Sequence, residues 1–124
     1  MKKTILIIED NRELRENTAE ILELEGYDVL TEVNGMTGFQ QTIKSKPDVI
    51  ICDVMMPVTD GLEFLKLVKA DKTTADIPLI FFSADSAPPS VRKKLEQGAD
   101  VYLRKPFIEE DLLAAVDNCL IDKK

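Results

Sequence analysis

The chain has 124 residues, 44% hydrophobic and 31% charged, which fits one ordinary globular domain able to bury a core without disulfide staples. Its net charge of -7 argues against direct binding to nucleic acid or an anionic membrane and fits a basic protein partner or a bound cation, while the absence of histidine removes the usual zinc, copper and histidine-base chemistries. No apolar run approaches the roughly 20 residues of a membrane span, and the stretch from Ile5 to Ile8 is too short for a signal peptide, so a cytoplasmic location is expected.

Thr4 to Ile8 is a β-branched apolar run that reads as a first strand, with Glu9-Asp10 at its end. Asn11 can cap a helix through about Glu25, with Leu14, Thr18, Ile21, Leu22 and Glu25 on one face and Gly26 at its stop. Tyr27 to Val33 is a second strand, and Asn34-Gly35 turns into a helix whose expected inward residues are Phe39 and Ile43. Pro47 ends that helix, and Asp48-Val-Ile-Ile-Cys-Asp53 follows as a strand buried on both faces. Leu62, Leu65 and Val68 recur at helical spacing after Asp60-Gly61, with Lys66, Lys69 and Asp71 on the wet side. Ile77 to Phe82 is a fourth strand ending at Ser83-Ala84, and Ala87-Pro88-Pro89 delays the next helix to about Pro89, from which it runs to Gly98. Asp100 to Leu103 is a short fifth strand, Lys105-Pro106 a turn, and Ile108 to Ile121 a last helix with Leu112, Leu113, Val116 and Leu120 inward. Strand and helix alternate five times with short connections, which argues one parallel sheet covered by helices on both faces.

In such a sheet, ligands bind outside the carboxyl ends of the strands. The polar residues at those ends are Glu9-Asp10, Asp53, Ser83 and Lys105. Each alone has an ordinary reading, as a helix-start acid, a turn aspartate, a turn hydroxyl or a surface lysine. Their recurrence at matching strand ends is harder to explain that way. If the first and third strands are neighbours, three carboxylates converge, and two unit charges 4 Å apart repel by about 4 kcal/mol at an effective dielectric of about 20. A cation would compensate them, and an all-oxygen donor set selects a hard ion, Mg2+ above all, with Mn2+ as a substitute. Magnesium beside an exposed carboxylate points to aspartyl-phosphate chemistry. Cys52 and Cys119 lack motif spacing and read as buried free thiols.

In this order and spacing, Ile5-Leu-Ile-Ile-Glu-Asp-Asn, Asp53-Val-Met-Met-Pro, Asp60-Gly61, Ser83-Ala84 and Gly98-Ala-Asp-Val-Tyr-Leu-Arg-Lys105-Pro-Phe107 make the whole chain resemble the receiver domains of two-component response regulators. The resemblance implies a flavodoxin-like (βα)5 fold, one receiver domain over residues 1–124, with strand order 2-1-3-4-5. By it, Asp53 accepts a phosphoryl group from a histidine kinase or a histidine phosphotransfer protein. Asp10 binds Mg2+ directly, Glu9 through water, and the carbonyl of Met55 completes the protein ligands. Ser83 and Lys105 hold the phosphoryl oxygens, Tyr102 moves inward with Ser83, and Lys105-Pro106 is a cis peptide. Met55 and Asp85 flank the phosphoryl group and tune its lifetime. The output is a change in the face made by the fourth helix, fifth strand and fifth helix, which controls a downstream protein.

Three departures sharpen these expectations. Glu9 stands where many receivers have aspartate, and Ser83 where threonine is more frequent; both keep the needed oxygen. The last helix carries no Lys or Arg between positions 108 and 121, which disfavours the charge-paired dimers of winged-helix regulators and favours a monomer in the unphosphorylated state. A Mg2+-dependent phosphatase using Asp53 would want a general acid two residues on, where Met55 stands. A flavodoxin-type electron carrier would set its cofactor phosphate against Glu9 and Asp10. A switch, not an enzyme, is therefore expected, with self-phosphorylation from small donors and slow autodephosphorylation. It is either a stand-alone receiver or the N-terminal part of a longer transcriptional or enzymatic regulator.

Overall fold

The computed structural model describes residues 2–54, 60–83, 89–104 and 108–122. Strands and helices alternate as β1 (Thr4–Ile8), α1 (Arg12–Leu24), β2 (Asp28–Glu32), α2 (Gly35–Ser45), β3 (Val49–Asp53), α3 (Gly61–Ala70), β4 (Leu79–Ser83), α4 (Pro89–Gly98), β5 (Val101–Arg104) and α5 (Glu109–Asp122). All four pairings are parallel, in the order β2-β1-β3-β4-β5, which is the flavodoxin-like arrangement expected.

Successive side chains of a strand point to opposite faces, so an unbroken apolar run is what a sheet covered on both sides demands. Leu6, Ile8, Ile50, Cys52 and Phe81 face α2, α3 and α4, where Phe39, Phe64, Leu65, Val68 and Leu95 meet them. Ile5, Ile7, Val49, Ile51, Ile80 and Phe82 face α1 and α5, against Leu22, Leu112, Ala115 and Val116. Each fully buried Val, Leu, Ile or Phe among them contributes about 1.5–3 kcal/mol by leaving water. Three helices start on side-chain caps: Asn11 accepts from the Leu14 amide (2.9 Å), Asn34 from Thr37 (2.9 Å) and Asp60 from Glu63 (3.0 Å).

The amino ends of the strands are closed by two matching clasps. Asp48 accepts the Thr4 amide through its carboxylate at 2.8 Å while its own amide donates to the Thr4 carbonyl at 2.8 Å. Asp100 repeats this with Leu79, again at 2.8 Å in both directions. These contacts explain two boundary shifts, because Asp48 and Asp100 serve the strands beside them and the regular segments begin one residue later, at Val49 and Val101. β4 likewise begins at Leu79 and not at Ile77, whose amide is turned to the Thr74 carbonyl at 3.1 Å.

Two inward faces differ from the sequence reading. Glu25 is the exposed C-cap of α1 and not part of its buried side, which is formed by Thr18 and Leu22. On α2 the buried residues are Gly35, Gly38 and Thr42, with Phe39 packed at their flank, whereas Ile43 is 36% exposed. The cause is close approach: a Cβ on Gly38 would lie 2.5 Å from Cδ1 of Ile8. The helix therefore rests on its smallest side chain, and that choice rotates Ile43 outward. α4 is described from Pro89 onward, and Ala87 and Pro88 lie outside the described residues.

Candidate functional site

The strand order reverses between β1 and β3, which places a crevice at their carboxyl ends. Ile8 pairs with Cys52 in that register, so Glu9 and Asp53 emerge side by side. Glu9, Asp10 and Asp53 each bring a carboxylate oxygen to within 4.8 Å of the other two. Glu9 is only 1% exposed and Asp53 5%, while Asp10 is open to solvent. Two nearly buried carboxylates and a third at the rim repel one another strongly in a medium of reduced polarity. Their field reaches the neighbouring thiol: burial first, then the negative charges of Asp53, Glu9 and Asp60, push the Cys52 thiol well above its ordinary range. Cys52 stays a protonated donor, its Sγ 3.3 Å from the Asp53 carbonyl oxygen, and is not a metal ligand. The donor set is thus three carboxylates, which fits a hard divalent cation of the Mg2+ type.

The corner from β1 into α1 is held by backbone-directed contacts. The Asn11 amide donates to Oε2 of Glu9 at 2.9 Å, and the Glu9 amide stays in the ladder with the Glu32 carbonyl at 3.0 Å. Nη1 of Arg15, one turn into the helix, donates to the carbonyls of Glu9 at 2.9 Å and Asp10 at 3.4 Å. The sequence reading did not single out Arg15. Its only signal is an arginine five residues after the acidic pair, the distance that lets a first-turn side chain fold back over the corner. Asp60, which the sequence offers only as part of the Asp60-Gly61 motif, caps α3 and adds to the negative field at Cys52.

On the other flank, the Val54 amide donates to the Phe82 carbonyl at 3.1 Å, so the end of β3 lies against Ser83. Ser83 is fully buried and pairs in register with Arg104. Tyr102 is half-buried on β5 and packs against the core on the α3–α4 side; its hydroxyl is buried and finds no hydrogen-bond partner among the described residues. The structure therefore brings together Glu9, Asp10 and Asp53, and sets Ser83 at the adjoining strand end. Met55, Asp85, Lys105 and Pro106 lie outside the described residues.

A five-stranded parallel sheet with an acidic crevice at its switch point defines a class of α/β ligand-binding domain. Residues 5–117 match the response regulator receiver domain family, and the chain belongs to it. It is 39% identical over 112 residues to the phosphate regulon transcriptional regulatory protein PhoB of Pseudomonas aeruginosa, an alignment covering 90% of this chain and 49% of that protein. The chain spans about half the length of such curated regulators. Among solved structures, the signal receiver domain of a signal transduction histidine kinase from Syntrophus aciditrophicus superposes with a TM-score of 0.90 at 34% identity, over 98% of this chain and 92% of that one. The receiver domain of a sensor histidine kinase from Pseudomonas aeruginosa, solved with magnesium coordinated in its active-site cleft, shares the fold at a TM-score of 0.90 and 24% identity, over 98% of this chain and all of that one. Receiver domains are phosphorelay switches and not classical enzymes, which decides against the phosphatase and electron-carrier readings.

Proposed function

We propose that Asp53 is the phosphoacceptor of this receiver and that Glu9, Asp10 and Asp53 hold one Mg2+ ion, with Mn2+ able to replace it. The observation that carries this reading is the convergence of three carboxylates, two of them buried, at the sheet's switch point. The magnesium in the cleft of the related kinase receiver supports it. When bound, the ion would offset the charge that gathers on the phosphoryl oxygens. A carboxylate oxygen of Asp53 attacks the phosphorus of a phosphohistidine on a kinase or phosphotransfer protein, the P–N bond breaks, and an acyl phosphate forms. Small donors such as acetyl phosphate serve in the same way, and water later returns the carboxylate. Ser83 and Lys105 act as donors to the phosphoryl oxygens, and Met55 and Asp85 set its lifetime.

The product brings about -1.5 to -2 charges and three acceptor oxygens to one strand end. Only contacts that differ between two states shift their balance, and Ser83 and Tyr102 are the groups able to make such contacts on the side of β4 and β5. The α4-β5-α5 face then carries the signal to a protein target in the cytoplasm. A second reading, the receiver portion of a longer regulator, is favoured by the half-length match to PhoB-type proteins.

The test is intact mass after incubation with acetyl phosphate and Mg2+, on the wild type and Asp53→Asn, with and without EDTA. The expected result is a labile gain of one phosphoryl group that requires both Asp53 and the metal. A stable modification elsewhere, or the same gain in Asp53→Asn, would overturn the assignment.

A further inference from the structure

We propose that Arg15 is a positioning residue of the metal site, acting through the main chain between β1 and α1 and not through its charge. The inference rests on the reading of Glu9, Asp10 and Asp53 as the Mg2+ site. Asp10 belongs to neither strand nor helix: β1 ends at Ile8 and α1 begins at Arg12. The Glu9 carbonyl lies in the peptide plane before Asp10, and the Asp10 carbonyl in the plane after it. One guanidinium nitrogen of Arg15 holds both, at 2.9 and 3.4 Å. Peptide units are rigid planes, so fixing the two on either side of a residue fixes its φ and ψ and hence the direction of its Cα–Cβ bond. Arg15 thereby aims the Asp10 carboxylate, the exposed member of the triad.

The same corner is braced from the other side by the Glu9 carboxylate on the Asn11 amide, the Asn11 side chain on the Leu14 amide and the Arg15 amide on the Asn11 carbonyl, each at 2.9 Å. Arg15 is half-buried along α1, so its stem is restrained as well as its head. Charge alone predicts the reverse of the proposed effect. A guanidinium close to a cation site repels the cation, and its removal would tighten Mg2+ binding. Lysine separates the two possibilities, because it keeps the charge but its nitrogen ends one atom short of Nη1, the single atom that reaches both carbonyls, and it has no rigid plane to hold it there.

The experiment is a titration of the full chain with MgCl2 by calorimetry, supported by amide NMR shifts of residues 9–11 in metal-free protein. It compares wild type, Arg15→Ala, Arg15→Lys and Arg12→Ala, a control that removes the same charge from the same helix turn. Both Arg15 variants are expected to lose about tenfold in Mg2+ affinity and to shift the Asp10 and Asn11 amides, with Arg12→Ala within about twofold of wild type. Phosphorylation of Asp53 from acetyl phosphate should recover at saturating Mg2+, as expected when binding and not chemistry is impaired. Unchanged or tighter binding in Arg15→Lys overturns the inference, and if Arg15→Ala does not fold, Arg15→Lys carries the test alone. Binding in the wild type with no change in the variants rejects only the role of Arg15; no binding in the wild type rejects the site and this inference with it.

Discussion

Tyr102 and Tyr27 show how differently two phenols are treated. The Tyr102 hydroxyl is buried without a hydrogen-bond partner among the described residues, and such a group costs about 1–3 kcal/mol. Tyr102→Phe is therefore expected to raise the stability of the unphosphorylated protein by about 1 kcal/mol, read from urea unfolding. Tyr27 lies on the surface and donates to Oδ1 of Asp117 at 2.8 Å, tying the start of β2 to α5. Partial burial first, then the bond to Asp117 and its charge, push the Tyr27 phenol up to about 12. Its folded-state value lies above its unfolded one, so the stability it adds is complete below about pH 10 and is lost as the pH rises toward 12. In Tyr27→Phe that alkaline loss should shrink, and the tyrosinate absorbance step near pH 12 should vanish. Contacts of this kind, like those of Arg15, leave no trace in hydropathy or motif spacing, because they join side chains to partners that only the fold brings near.

At the scale of elements, glycine and aspartate decide how closely parts approach. A Cβ on Gly61 would lie 2.9 Å from the Val54 Cα and 3.2 Å from the Phe81 ring, against backbone that cannot turn aside. Gly61→Ala is expected to cost about 1–3 kcal/mol and to displace the end of β3, slowing phosphorylation of Asp53. Gly98→Ala would meet only the Leu65 side chain, at 2.5 Å, and should cost less in a parallel denaturation series. Removing the clasp with Asp48→Ala should cost about 1–3 kcal/mol, since a charged acceptor is lost from the Thr4 amide. The sequence made the strands legible because two-sided burial leaves continuous apolar runs, and Asn11 and Asn34 marked two helix starts. It misassigned the face of α2, since Gly38 carries no hydropathy and its role is to let the helix sit on Ile8. The boundaries at Asp48 and Asp100 moved for a similar reason: their side chains belong to neighbouring strands.

For the whole molecule, the balance of charge sets its company. The net charge is -7, and positions 108–121 contain no Lys or Arg, so two copies meeting through α5 would oppose like charges. Equilibrium sedimentation is expected to give a monomer without phosphoryl donor, and a tight dimer at micromolar concentration would contradict that. The candidate site was readable because its members come from strand ends, and strand ends are what apolar runs define most sharply. Their convergence was readable only through the strand order 2-1-3-4-5 that the resemblance implies, since it depends on β1 lying beside β3, a pairing 44 residues apart in the chain at Thr4 and Asp48. That pairing also governs how the protein tolerates being cut. β1 is an interior strand, between β2 and β3, although it comes first in the chain. Cutting it away would not shorten an edge; it would remove the second strand of five, strand β2 from the rest and carry off Glu9 and Asp10 with the severed piece.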